Sequence, residues 1–227
     1  MARTKPSTLL LVILAFALCA CQDGVLTFPT PQPALLRIVN VTANLQRARV
    51  TIDSSIILEA DRGSASEYTE VASGRQLQVQ IGSPTRILRG NLKYTLGGGG
   101  RVILFVRGDT TSLVEFRREI QDTILPAGSQ NSVVRFTHMA ENVDKGYFVE
   151  IWISGGERLF PIEFEPGISS RTYYSLAPGT YSFEVREAGT TNVLARLSDV
   201  VIGSGTSRML YTYNATSTLD DIALKIF

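Results

Sequence analysis

Gln76-Leu77-Gln78-Val79-Gln80-Ile81 decides the fold. Polar and apolar residues alternate without a break, so Leu77, Val79 and Ile81 share one face of a strand and the glutamines the other. Tyr181, Phe183 and Val185 alternate in the same way with Ser182, Glu184 and Arg186. Between Arg101 and Arg107 lies Val102-Ile103-Leu104-Phe105-Val106, apolar on both faces, the pattern of a central strand. Turn residues punctuate at strand-length intervals: Gly63, Gly74, Gly82-Ser83-Pro84, Gly97 to Gly100, Pro126-Ala127-Gly128 and Pro178-Gly179. Ser112 to Ile120 reads either as a short helix or as a strand. The fold class expected from these periods is all-β.

The chain also repeats itself. A shift of 106 residues aligns Leu77–Leu113 with Phe183–Leu219 without a gap. It matches Val79/Val185, Thr85/Thr191, Leu88/Leu194, Gly97/Gly203, Gly99/Gly205, Leu104/Leu210, Thr110/Thr216 and Leu113/Leu219. Upstream, Arg37 matches Arg135, and Val50-Thr51-Ile52 matches Ile151-Trp152-Ile153. The expectation is two tandem β-sandwich domains, 34–125 and 132–227, each of a length that suits about seven strands.

The second repeat opens Arg135-Phe136-Thr137-His138. It continues Val149-Glu150-Ile151-Trp152-Ile153-Ser154-Gly155, and later reads Ala177-Pro178-Gly179-Thr180-Tyr181-Ser182-Phe183-Glu184-Val185. These stretches resemble domain-of-unknown-function family 4397, found in bacterial envelope and secreted proteins, often in tandem. Its members open Arg-Val-Val-His-Ala-Ser-Pro and later carry Pro-Ala-Gly-Thr-Tyr-x-Val-Glu-Val. The prolines of the opening are missing at Met139 to Asp144, and in the first repeat Asn40 stands in the place of the histidine. The resemblance implies an immunoglobulin-like sandwich in each repeat and implies no activity.

Ahead of the repeats, Arg3 and Lys5 precede an apolar run from Leu9 to Leu18, followed by Cys19-Ala20-Cys21. A bilayer-spanning helix needs about 20 apolar residues, so this shorter run reads as a signal-peptide core, with residues 1–20 removed. Leu18-Cys19-Ala20-Cys21 is similar to the lipobox of bacterial lipoproteins. That resemblance implies a diacylglyceryl group on Cys21, and with Gln22 rather than Asp next, the outer membrane of a Gram-negative bacterium. The alternative is a secreted protein with a free Cys21 thiol. Residues 21–33 carry Pro29, Pro31 and Pro33, a stiff extended tether or an unstructured tail outside the fold.

Loss of Arg3 and Lys5 leaves 20 basic and 21 acidic residues, a net charge of −1. That balance gives no electrostatic case for nucleic acid. With Cys19 removed, no disulfide forms within the chain.

Catalytic and metal readings find little support. The only histidine, His138, sits at a strand end and reads as a structural hydrogen-bonding group. Zinc is disfavoured with one histidine and a lipidated cysteine, and Asp220-Asp221 and Glu59/Asp61 lack the calcium-loop spacing. Gly97 to Gly100 lacks the Lys-Ser/Thr of a phosphate loop and reads as a turn. Glu163 and Glu165 share a strand face with no sign of a cleft. No catalytic residue, cofactor or metal is assigned. Ile222 to Phe227 ends in a phenylalanine, as outer-membrane barrels do, but the repeats leave too few spanning strands, and it reads as a last sandwich strand.

One face stands out. If Val149, Ile151 and Ile153 point inward, Phe148, Glu150 and Trp152 share the outer face of the second repeat. An exposed Trp beside a Glu stacks a sugar ring or a partner's side chain; the alternative is Trp152 packed against the first domain or under a loop. The expected function is a non-enzymatic, lipid-anchored envelope protein whose sandwiches bind or space. The second reading is a carbohydrate- or peptide-binding module, with a glycan or an envelope protein as partner.

Overall fold

The computed structural model describes residues 32–110, 114–140 except 122–124, 148–160, 163–216 and 221–227, without the side chains of residue 91 and of 117–121. The segment expected as a signal peptide, Cys21 and almost all of the expected tether lie outside the described residues. The described chain is all-β. The first half runs β1 (Ala34–Asn40), β2 (Arg47–Ile52), β3 (Ile56–Asp61), β4 (Thr69–Val71), β5 (Gln76–Gly82), β6 (Ile87–Thr95), β7 (Arg101–Gly108) and β8 (Val114–Gln121). The second runs β9 (Ser132–His138), β10 (Val149–Ile153), β11 (Tyr174–Leu176), β12 (Gly179–Glu187), β13 (Val193–Ile202), β14 (Ser207–Asn214) and β15 (Ile222–Ile226). Of the two readings open for Ser112–Ile120, the strand is realised, as β8 from Val114 onward.

The halves share one topology. Sheet β4-β1-β7-β8 lies over β3-β2-β5-β6, and sheet β11-β9-β14-β15 over β10-β12-β13. In each half the first strand pairs in parallel with the strand after the glycine loop, β1 with β7 and β9 with β14. Among the described residues no regular strand in the second half corresponds to β3. Residues 157–160 and 163–164 instead bond irregularly along the other edge of β10, with Leu159 N donating to Ile151 O at 2.8 Å and Phe164 N to Val149 O at 2.8 Å.

The alternation read from Gln76–Ile81 holds: Leu77, Val79 and Ile81 are buried in the first core with Leu36, Ile38, Val50 and Ile52. Each such side chain contributes about 1.5–3 kcal/mol by leaving water. The second core is centred on Phe136, Ile151, Phe164, Phe183 and Val185. Edge-on aromatic contact joins Phe136 to Phe164, ring centroids 4.8 Å apart.

The strand that is apolar on both faces has a partner on each. Val102, Leu104 and Val106 of β7 enter the first core. Ile103 and Phe105, on the opposite face, join Val39, Val41, Met139, Met209, Tyr211 and Tyr213 in a third core built from both halves. Phe105 and Tyr211 meet at 5.7 Å. They are each other's equivalents under the repeat. The contacts around them are reciprocal. Gly63 N donates to Asn40 O, and Gly167 N to His138 O, at equivalent positions. Gly63 lies under Tyr213, where a Cβ would come within 2.3 Å of the ring; Gly167 lies under Arg107, where a Cβ would come within 2.6 Å of Nη1. Tyr213 and Arg107 are again repeat equivalents. One sheet face of each half thus binds the same face of the other, the arrangement of a two-fold homodimer within one chain. Residues Pro31–Phe227 accordingly form one compact unit.

The constant repeat shift needs one correction. Gly82 pairs with Ile87 across a four-residue loop, and Arg186 with Val193 across a six-residue loop. From that hairpin onward Tyr94 and Val200 correspond, but before it Leu77 matches Tyr181, and Ile81, not Val79, matches Val185. A two-residue slip leaves every strand face unchanged, so the ungapped alignment does not register it. The corrected register keeps Val50 opposite Ile81 and Ile151 opposite Val185, in agreement with the Val50–Ile52 match to Ile151–Ile153.

The glycine loops clamp the chain where each half begins. Gln32 O accepts from Gly99 N at 3.1 Å and from Ser73 Oγ at 2.6 Å. A Cβ on Gly98 would sit 3.0 Å from Gln32 O, and one on Gly205 would sit 3.3 Å from Ser129 O. These are turns ahead of central strands, as the sequence indicates.

The β2–β3 hairpin turns through Asp53 and Ser54 at φ 49° and 60°, closed by Ser55 N donating to Ile52 O at 3.1 Å. This is a type I′ turn, which favours glycine at its second centre. Ser54→Gly is expected to raise stability by about 0.5–1 kcal/mol, measured by urea unfolding.

Candidate functional site

β10 places Val149 and Ile151 in the core and Glu150 and Trp152 on the opposite face of β10-β12-β13. Phe148, just ahead of the strand, is 44 % exposed. The cross-strand register sets Glu150 opposite Arg186, Trp152 opposite Glu184, and Glu184 opposite Arg196. Opposite charges in facing positions attract, and here they form a continuous ladder.

Trp152 Nε1 donates to Glu150 Oε2 at 2.9 Å, and Arg158 Nη1 lies 2.8 Å from Glu150 Oε1. The Arg186 guanidinium covers one face of the indole, 4.5 Å from its centroid, a contact worth about 0.5–1 kcal/mol. Arg186 also donates Nη2 and Nε to Glu184 Oε2 at 2.7 and 3.0 Å. Glu184 Oε1 accepts from Arg196 Nη2 at 2.5 Å and from Ser154 Oγ at 2.7 Å. The Ser154 hydroxyl first, then Arg186 and Arg196, hold the Glu184 carboxyl down to about 2, against the opposing effect of burial.

Both carboxylates are therefore floor groups, 5 % and 3 % exposed for Glu150 and Glu184. Arginines lie over them. Trp152 is half-buried and lies on the sheet that does not contribute to the shared core. Glu150 and Trp152 share the outer face of β10, with Glu150 hidden. Sequence reasoning missed Arg158, Glu184, Arg186 and Arg196. The outward phase of Glu184 and Arg186 was visible in the alternation, but their position beside β10 was not.

Other candidate residues are placed elsewhere. His138 is buried, its Nδ1 2.6 Å from Thr212 Oγ1, and Met139 N donates to the same hydroxyl at 3.1 Å. Its equivalent, Asn40, is also buried and donates Nδ2 to Leu45 O and Ala60 O at 2.9 and 3.2 Å. Both side chains close one end of a sandwich. Glu59 pairs with Arg49 at 2.6 Å and Asp61 with Arg47 at 2.7 Å across β2–β3. A groove of about 320 Å³ lined by Arg47, Glu59, Asp61 and Ser64 thus holds charges already paired. Glu163, Glu165 and Asp221 are exposed, and Asp220 lies outside the described residues. Among the described residues no group of three His, Cys, Asp or Glu is placed to hold a metal ion.

No family model matches the chain, and no curated protein does. Among solved structures, the Bacillus anthracis TIE protein is 10 % identical with a TM-score of 0.23, over 78 % of this chain and 33 % of its own. This chain therefore spans about a third of that protein's length. A Bacteroides thetaiotaomicron protein of domain-of-unknown-function family 1812 is 9 % identical with a TM-score of 0.23, over 81 % and 93 %. The fimbrial anchor protein Mfa2 from Porphyromonas gingivalis is 9 % identical with a TM-score of 0.28, over 86 % and 96 %. These distances carry no functional residue from one protein to another.

Proposed function

We propose that this chain is a non-enzymatic cell-envelope protein, anchored through a lipid on Cys21, that presents a rigid double sandwich for binding or spacing at the outer membrane. The stretch Leu18-Cys19-Ala20-Cys21, behind its charged leader and short apolar run, carries the anchor. The core shared between the halves supports a rigid body rather than two beads on a string. Acyl chains contribute about 0.8 kcal/mol per buried CH₂, so more than one chain gives stable attachment. In a Gram-negative host the full-length protein is expected to partition into detergent and to yield an N-terminal peptide whose mass includes the acyl groups. Cys21→Ser is expected to move it to the aqueous phase or to leave it unprocessed. A mature N-terminus with an unmodified Cys21 overturns the anchor.

The second reading is a carbohydrate- or peptide-binding face at Phe148, Glu150 and Trp152. The exposed Phe148 ring and the half-buried Trp152, on one outward sheet face, favour it.

A further inference from the structure

We infer that the β10-β12-β13 face binds an anionic polysaccharide, one whose sugars carry carboxylates; this rests on the second reading above and names the chemistry of its ligand. The face is layered. Glu150 and Glu184 are nearly inaccessible, whereas the side chains of Arg158, Arg186 and Arg196 are 26 %, 19 % and 54 % exposed. The two carboxylates fix the guanidiniums in place from below, and solvent meets cations. Each guanidinium has five N–H donors in a rigid plane. Glu184 takes Nε and Nη2 of Arg186 and Nη2 of Arg196, so a second carboxylate approaching from outside finds oriented donors on Arg196. Oriented guanidiniums match carboxylates bidentately and lose little freedom on binding.

The occupant is a sugar polymer rather than an acidic peptide because aromatic rings accompany the charges. Phe148 stands exposed at one end of β10, and Trp152 lies further along, half-buried, with the Arg186 guanidinium over one face of its indole. Rings of this kind stack on sugar faces, which a polyglutamate chain lacks.

The chain has a single tryptophan, so its fluorescence reports this face directly. The mature protein with Cys21→Ser is titrated with polygalacturonate, dextran and poly-L-glutamate at low salt. Polygalacturonate is expected to shift the Trp152 emission and to bind, more weakly as salt rises. Arg196→Gln is expected to weaken that binding about tenfold, and Lys93→Glu on the first half to leave it unchanged. An unchanged melting temperature in Arg196→Gln excludes a folding defect. Equal binding of dextran overturns the anionic ligand and leaves a sugar site standing. Preference for poly-L-glutamate overturns the sugar. Silence toward all three overturns both the inference and the reading beneath it.

Discussion

Phe105→Ala is expected to lower stability by about 3–5 kcal/mol and to shift the unfolding of the second half, in which Phe105 does not lie. Its ring is fully buried in the third core, against Tyr211. Truncation removes the apolar contact and leaves a cavity between two sheets, which relax little because each is also held by its own core. The measurement is urea unfolding followed by Trp152 fluorescence, a probe in the second half, alongside far-ultraviolet circular dichroism. Both probes are expected to move together to a lower midpoint. A Trp152 transition unmoved by the substitution shows halves that fold independently and removes the shared core as a source of stability.

Glu184→Gln is expected to cost about 2 kcal/mol at neutral pH, with a loss that vanishes in acid. The folded carboxyl titrates near 2, below its ordinary value of 4.5. A carboxyl so depressed contributes stability above its unfolded value, and that contribution fades as pH falls through the folded one. The shift alone corresponds to about 1–2 kcal/mol once solvent screening of the partly exposed arginines is allowed for. Wild type and variant should therefore differ most above pH 4.5 and converge toward pH 2, read as denaturation midpoints across that window. A difference constant with pH places the effect in lost packing rather than in the charge ladder.

Much of the fold was legible because strands write their burial with a period of two. Leu77, Val79 and Ile81 point inward as the alternation requires, and Val102 to Val106 form a central strand as their double-sided apolarity requires. The repeat was legible too, through glycine loops and strand phases, but not the two extra residues in the β12–β13 hairpin. A slip of two is silent in a period of two. The aromatic face was half legible. Phe148 and Trp152 stood out by type and phase, whereas Arg158, Glu184, Arg186 and Arg196 became partners only through pairing across strands distant in the chain.

By itself the sequence determined the all-β class, the strand faces and the duplication, because each is a local pattern of hydropathy or turn chemistry. Only the tertiary structure decided which outward faces meet water. The outer face of β7 and the outer face of β10 are both outward in the logic of one sandwich. The first is sealed against its own repeat through Phe105 and Tyr211; the second is roofed by arginines whose carboxylates lie beneath. That choice depends on sheets packing across more than a hundred residues of chain, a distance at which no sequence period carries information.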